Sequence, residues 1–117
     1  MRFVLGSLLA VLAFIGGTGV AQADPPLPPY PTVTTWHDAE VRTCEALSCP
    51  VYQVLPAGTS TIGICWTRGE NVTALGYSNN IWIMVSMNSG GRYLVSAIYL
   101  TGDERANLPY ENDCGPY

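Results

Sequence analysis

Short runs of apolar, β-branched and aromatic residues, separated by turn-forming residues, extend along residues 32–100. Runs of this length between clusters of glycine, proline and asparagine are typical of β-strands. The predicted strands are 32–36, 39–43, 51–55, 59–66, 72–75, 81–87 and 92–96. Turns are predicted at 67–70 and 76–80, and a hairpin loop is predicted at 88–91. This pattern predicts an all-β domain, either a small barrel or a sandwich.

The strand predicted at 81–87 has the clearest alternation in the chain. Ile81, Ile83 and Val85 point to one face, whereas Trp82 and Met84 point to the other. Because the first set is wholly aliphatic, we expect it to face the core and Trp82 to be the more exposed ring. A shift of the register by one residue would reverse this assignment.

Residues 1–23 have the composition of a cleavable signal peptide. A positive charge at Arg2 precedes an apolar run at 3–15, and AQA at 21–23 supplies the small residues that a signal peptidase accepts. The apolar run is shorter than the roughly 20 residues that span a bilayer. We therefore expect cleavage after Ala23, a secreted protein that is either free or associated with the cell wall, and no membrane attachment after cleavage.

Proline dominates the segment that follows, DPPLPPYP at residues 24–31. Proline fixes φ and lacks a backbone donor, so this segment is predicted to form a polyproline II linker. Its PxxP spacing also occurs in ligands of SH3 domains, but no basic residue flanks it, and a linker is the favoured interpretation. The predicted organisation is a signal peptide at 1–23, a linker at 24–32, a folded domain at 33–101 and a C-terminal tail at 102–117.

All four cysteines follow the signal peptide, at Cys44, Cys49, Cys65 and Cys114. An even number in a short exported chain predicts disulfides, for which three pairings are possible. We favour Cys44–Cys49, which a short loop separates, with Cys65–Cys114, which would tie the tail to the domain. In the chain-entropy model these bridges stabilise the fold by about 2 and 4 kcal/mol. The spacing does not match the paired CxxC motifs of zinc sites, so no zinc is expected.

The net charge argues against nucleic acid and membrane as partners, and the aromatic composition favours an interface. Without Arg2, four arginines and nine acidic residues leave a net charge of −5. Nucleic acids need a basic face and anionic headgroups attract basic segments, so neither nucleic acid nor membrane is expected as a partner. Every aromatic residue after the signal peptide is Trp or Tyr, which are common at interfaces.

The motifs of the sequence do not indicate catalysis or a cofactor. His37 is the only histidine, and no G-x-S-x-G elbow accompanies it, so we do not expect a catalytic triad or an enzyme. The acidic pairs at 103–104 and 111–113 fall in the tail, where a solvated surface is the favoured interpretation. Asn71 begins an N-x-T sequon, which matters only in a host that glycosylates.

Motifs in sequence order resemble the bacterial SH3 (SH3b) domain family. VRT at 41–43, PV at 50–51 and LPAG at 55–58 are similar to the opening of these domains. IWIMVS at 81–86 is similar to their central strand, which contains a Trp. VSAIYL at 95–100 resembles their closing strand and 3₁₀ turn.

This resemblance covers residues 33–101 and implies a small SH3-like β-barrel of five to six short strands with a 3₁₀ turn. It also implies a non-catalytic binding role, often towards cell-wall peptidoglycan. The sequence departs from the family at Tyr93 and Leu94, where Gly and an aromatic residue are usual, and in the longer segment 68–80.

The candidate binding surface gathers aromatic and cationic side chains around the face of Trp82 and Met84. Aromatic rings stack on sugars or receive peptide side chains, and arginine pairs with carboxylates. The candidate residues are Trp66, Tyr77, Trp82, Met84, Arg92, Tyr93 and Tyr99. We expect a monomeric, secreted module that binds the glycan or stem peptide of peptidoglycan. The alternative is a secreted protein-interaction factor, an effector or inhibitor that uses the same face.

Overall fold

The computed structural model describes residues 31–115, and the predicted signal peptide and nearly all of the predicted linker lie outside that range. Within it, the β-branched and aromatic runs form strands, as their alternation predicts. The strands are β1 (Thr32–Thr34), β2 (Ala39–Arg42), β3 (Val51–Leu55), β4 (Ser60–Ala74), β5 (Tyr77–Val85) and β6 (Tyr93–Ser96). A 3₁₀ turn at Ala97–Tyr99 follows β6. The prediction of an all-β fold with one 3₁₀ turn is therefore confirmed.

The strands form one antiparallel sheet in the order β1-β4-β5-β6-β2-β3, with β1 and β3 at its edges. The sheet curls at one end, where Thr35, just after β1, forms an antiparallel bridge with Leu100, just after the 3₁₀ turn. Beside this bridge, the backbone N–H of Trp36 donates to Tyr99 O at 3.1 Å. The edge strand β1 thus meets the chain that leaves β6, although β4 and β5 lie between them in the sheet.

The β4–β5 hairpin is longer than the sequence predicts. The prediction of a turn at 67–70 is wrong because these residues continue β4, and residues 77–80 belong to β5. The chain reverses at Leu75-Gly76, whose φ angles of 57° and 84° fit a type I′ turn. The polar residues 67–70 lie in a bulged part of β4, since the register of its pairing with β5 shifts between Arg68 and Val72.

Apolar side chains cover both faces of the central strands. On one face, Ile81, Ile83 and Val85 belong to the main core, as their alternation predicts. On the other face a second buried cluster consists of Val72, Trp82, Leu94 and Ile98. Trp82 is only 1% exposed, so the expectation that it is the more exposed ring is wrong. The far part of β4 and the 3₁₀ turn supply the residues that cover it.

Two disulfides join Cys44 to Cys49 and Cys65 to Cys114, so the favoured pairing is confirmed. The first closes the loop between β2 and β3, and the second joins β4 to the C-terminal segment. No helix within residues 31–115 is long and apolar enough to cross a membrane.

The C-terminal segment packs into the core. Ala106 and Leu108 are buried in the main cluster. Farther along, the backbone N–H of Trp66 donates to Asn112 O at 3.0 Å, and the N–H of Cys114 donates to Trp66 O at 2.9 Å. The segment therefore covers one side of β4 and fixes the position of the residues that follow the 3₁₀ turn.

Candidate functional site

Three of the site residues predicted from the sequence are buried. Trp66, Trp82 and Tyr93 lie in the two apolar clusters. The indole N–H of Trp66 donates to Tyr110 O at 2.9 Å, and the indole N–H of Trp82 donates to Glu70 O at 2.9 Å. These rings therefore contribute to packing, with their polar groups satisfied inside the protein.

The other predicted residues lie in different surroundings. Met84 and Tyr99 are half-buried and pack against the second cluster. Arg92 forms an ion pair with Glu45 at 2.7 Å, which anchors the loop closed by the first disulfide. Tyr77 differs from all of them, because it is 58% exposed. Of the predicted set, Tyr77 is thus the ring that is open to a ligand.

Tyr77 lines a cleft of about 560 Å³. The cleft lies where the chain after β1, the start of β5 and the 3₁₀ turn meet residues 101–104. Trp36 and Tyr77 supply aromatic side chains to it, and the buried residues Ile98 and Leu100 supply an apolar base. Its volume lies within the range of small-ligand sites, and the cleft is partly open to solvent.

Trp36 is held in a fixed position although it is 40% exposed. Its indole N–H donates to Ile98 O at 2.8 Å, so the polar group of the ring is already satisfied. The ring also meets Tyr77 edge to face, with centroids 5.8 Å apart. A ring that is both open to solvent and fixed loses little conformational freedom when a ligand stacks on it.

The loop at residues 101–104 forms the acidic side of the cleft, and hydrogen bonds to residues 105 and 107 hold it in place. The backbone N–H groups of Asn107 and Arg105 donate to Asp103 Oδ1 at 2.8 and 2.9 Å, and the N–H of Asp103 donates to Asn107 Oδ1 at 3.0 Å. These backbone hydrogen bonds, that from Asn107 most of all, lower the pKa of Asp103 below its ordinary value of 3.8. Asn79 ties the loop to β5 by donating to Glu104 O at 2.9 Å. The carboxylate of Asp103 is therefore ionised at neutral pH and held in place.

Gly102 allows this loop to approach itself closely. Its φ of 114° lies in the region that favours glycine, and a Cβ at this position would lie 2.6 Å from the side-chain amide of Asn107. A larger residue here would therefore displace the side-chain amide of Asn107, whose oxygen accepts the hydrogen bond from the N–H of Asp103. Gly102 thus supports the shape of the acidic side.

The charges at the cleft are negative. Its charged lining residues are Asp103 and Glu104, and Glu104 forms an ion pair with Arg105 at 3.0 Å. The guanidinium of Arg105 lies over the rings of Trp66 and Tyr110, which do not line the cleft. The cleft thus combines aromatic faces, an aliphatic base and an ionised carboxylate.

A second surface lies at the edge strand β3. Val51, Tyr52 and Val54 are all exposed there. Tyr52 packs on Tyr93 with ring centroids 4.3 Å apart, so its position is fixed, whereas the two valines face solvent. An edge strand with apolar side chains is able to pair with another extended chain.

The comparisons do not assign the chain to a known group. No family model matches it, and no curated protein and no solved structure is significantly similar to it. Among residues 31–115, no group of three His, Cys, Asp or Glu side chains is arranged to hold a metal ion.

Sequence reasoning missed two parts of the cleft. The predicted site residues do not include Trp36. The prediction of a solvated surface for Asp103 and Glu104 agrees with their exposure, but it does not place them at the cleft. A signal for Trp36 exists in the sequence, because it ends a predicted strand directly before the polar pair His37-Asp38. Such a position places a ring where the chain leaves the sheet. Nothing comparable in the sequence indicates that the loop at 101–104 returns to this ring.

Proposed function

We propose that this protein is a secreted, non-catalytic, SH3b-like module whose ligand, cell-wall peptidoglycan, occupies the cleft between Trp36 and Tyr77. The observation that carries the proposal is the fixed yet exposed Trp36, packed edge to face against Tyr77 over an apolar base. Aromatic rings that combine an apolar face with a polar group are enriched at interfaces and line most ligand sites.

We base the SH3b-like assignment on the order of the sequence motifs, with which the architecture is compatible. The motifs that resemble the opening of the family overlap β2 and β3, the motif that resembles its central strand overlaps β5, and the motif that resembles its end overlaps β6 and the 3₁₀ turn. The curled antiparallel sheet is compatible with a small barrel. Architecture alone does not determine a ligand, so the ligand proposal depends on the cleft.

Secretion has support from two separate features. The N-terminal segment has the pattern of a signal peptide. All four cysteines are paired in disulfides, which persist outside the reducing cytosol. Peptidoglycan lies outside the cytosol and offers both sugar rings and short peptides to an aromatic cleft.

The test is retention of the oxidised mature protein, residues 24–117, on insoluble peptidoglycan. Tyr77→Ala removes an exposed ring from the cleft and should weaken retention about tenfold, the equivalent of about 1.4 kcal/mol. Tyr110→Ala is the matched control, because Tyr110 is also exposed but does not line the cleft. Absence of retention by the wild-type protein would contradict the proposal.

A protein-interaction role is the second candidate, and the exposed valines of β3 favour it. An extended segment of a partner would add to this edge through backbone hydrogen bonds, with Val51 and Val54 contacting its side chains. Val54→Lys would prevent such pairing and leave the cleft intact. Loss of a captured partner on Val54→Lys, without loss of wall retention, would show that the two surfaces act separately.

A further inference from the structure

From the chemistry of the cleft we infer that it selects a ligand with an aliphatic chain ending in a primary ammonium group. In peptidoglycan this group is the free side-chain amine of the diamino acid in an uncross-linked stem peptide. The inference rests on the proposed function, because it assumes that a wall ligand occupies the cleft between Trp36 and Tyr77.

The aromatic walls and the aliphatic base suit such a chain. The faces of Trp and Tyr attract cations through their ring quadrupoles. The buried residues Ile98 and Leu100 form an apolar base, against which the methylene groups of a lysine-like side chain would pack. A neutral sugar would use the rings but would gain less from the aliphatic base.

The charge arrangement favours an ammonium group over a neutral end group. In residues 31–115, three arginines pair with carboxylates, Arg42 with Glu40, Arg92 with Glu45 and Arg105 with Glu104. The fourth, Arg68, donates to Asn80 Oδ1 at 2.9 Å. None of the four lines the cleft. Asp103 is therefore the carboxylate at the cleft that forms none of these ion pairs, although the charge of Arg105 also acts on it.

The loop that carries Asp103 is organised before the ligand arrives. Its carboxylate accepts two backbone N–H groups through Oδ1, and Asn79 holds the loop to the strand that carries Tyr77. The positions of the carboxylate and the ring are thus linked through β5. Such preorganisation reduces the entropy lost when a small charged group binds.

The test compares two peptides that differ at a single nitrogen. The first is acetyl-L-Lys-D-Ala-D-Ala with a free side-chain amine, and the second is the same peptide with that amine acetylated. We expect the mature wild-type protein to bind the free-amine peptide about tenfold more tightly than the acetylated one. Tryptophan fluorescence would measure both affinities, since Trp36 is the exposed tryptophan. Asp103→Asn removes the charge but keeps an oxygen acceptor for the loop, and should reduce this preference to less than about threefold.

The control and the contrary outcomes separate this inference from the proposed function. Glu111→Gln removes an exposed acid that does not line the cleft, and should leave the preference unchanged. Equal affinity for the two peptides, or a preference that survives Asp103→Asn, would overturn the inference while wall retention upheld the proposed function. Retention on peptidoglycan that is displaced by a neutral N-acetylglucosamine oligomer, but not by the free-amine peptide, would also overturn it. Failure of the wild-type protein to bind the wall or either peptide would contradict both.

Discussion

Trp82 and Trp36 are two tryptophans with similar hydrogen bonds and opposite exposure. Each donates its indole N–H to a backbone carbonyl, Trp82 to Glu70 at 2.9 Å and Trp36 to Ile98 at 2.8 Å. Trp82 nevertheless is 1% exposed and Trp36 is 40% exposed. The hydrogen bond therefore fixes both rings, and what differs is whether another element covers the face of the ring.

The difference follows from their places in the fold. Trp82 lies within β5, which has paired strands on both sides, and the second cluster covers its face. Trp36 lies beyond the end of β1, where the sheet curls and opens towards residues 101–104. In this fold the centre of the sheet buries a tryptophan, and its curled end leaves one exposed, where we propose that the ligand binds.

The largest effect should come from removing the covered ring. Trp82→Ala should lower the free energy of unfolding by about 3–5 kcal/mol, because it leaves a cavity in the second cluster. Trp36→Ala should cost about 1–2 kcal/mol, since it removes one hydrogen bond and a partly exposed ring. Chemical denaturation would measure both values, with Trp82→Phe as a milder substitute if the alanine variant does not fold. Equal losses at the two positions would contradict the distinction between them.

The next effect concerns Trp66, which the C-terminal segment covers. Replacing Cys65 and Cys114 by serine removes a bridge that closes a long loop, and should lower the free energy of unfolding by about 4 kcal/mol. The cover over Trp66 should also loosen, so its fluorescence should shift to longer wavelength. The matched control, serine at Cys44 and Cys49, should cost about 2 kcal/mol and leave Trp66 unchanged. A smaller loss for the long loop than for the short one would be the contrary result.

The smallest effect is a dependence on pH at the acidic side of the cleft. The lowered pKa of Asp103 means that its ionised form stabilises the fold at pH values above its ordinary pKa of 3.8. This stabilisation is lost as the pH falls through the lower pKa of the folded state. Asp103→Asn should therefore lower the melting temperature at pH 6, and the difference from the wild-type protein should diminish at pH 3. A difference that is independent of pH would show that the charge of Asp103 does not stabilise the loop.

Local rules predicted most of the fold but little of the candidate site. Alternation assigned Ile81, Ile83 and Val85 to the core, and the short loop between Cys44 and Cys49 favoured the pairing that the structure contains. These features depend on residues that are close in sequence or on one strand.

The errors have physical causes. The expectation that Trp82 is exposed assumed a sheet with one buried face, whereas residues from β4 and the 3₁₀ turn cover its other face. The cleft unites Trp36, Tyr77 and Asp103, which come from three separate parts of the chain. Their proximity depends on the curl of the sheet and on the path of the C-terminal segment, and neither has a signature in local sequence.

The most direct test of the central claim is to observe the three indole N–H groups during binding. The mature protein, labelled with ¹⁵N in its tryptophans, would be titrated with soluble muropeptides released from peptidoglycan. We predict that the indole resonance of Trp36 shifts as the muropeptide concentration rises and that the shift saturates. The resonances of Trp66 and Trp82 should remain nearly unchanged. No shift at Trp36, or larger shifts at Trp66 or Trp82, would contradict the claim that the ligand occupies the cleft.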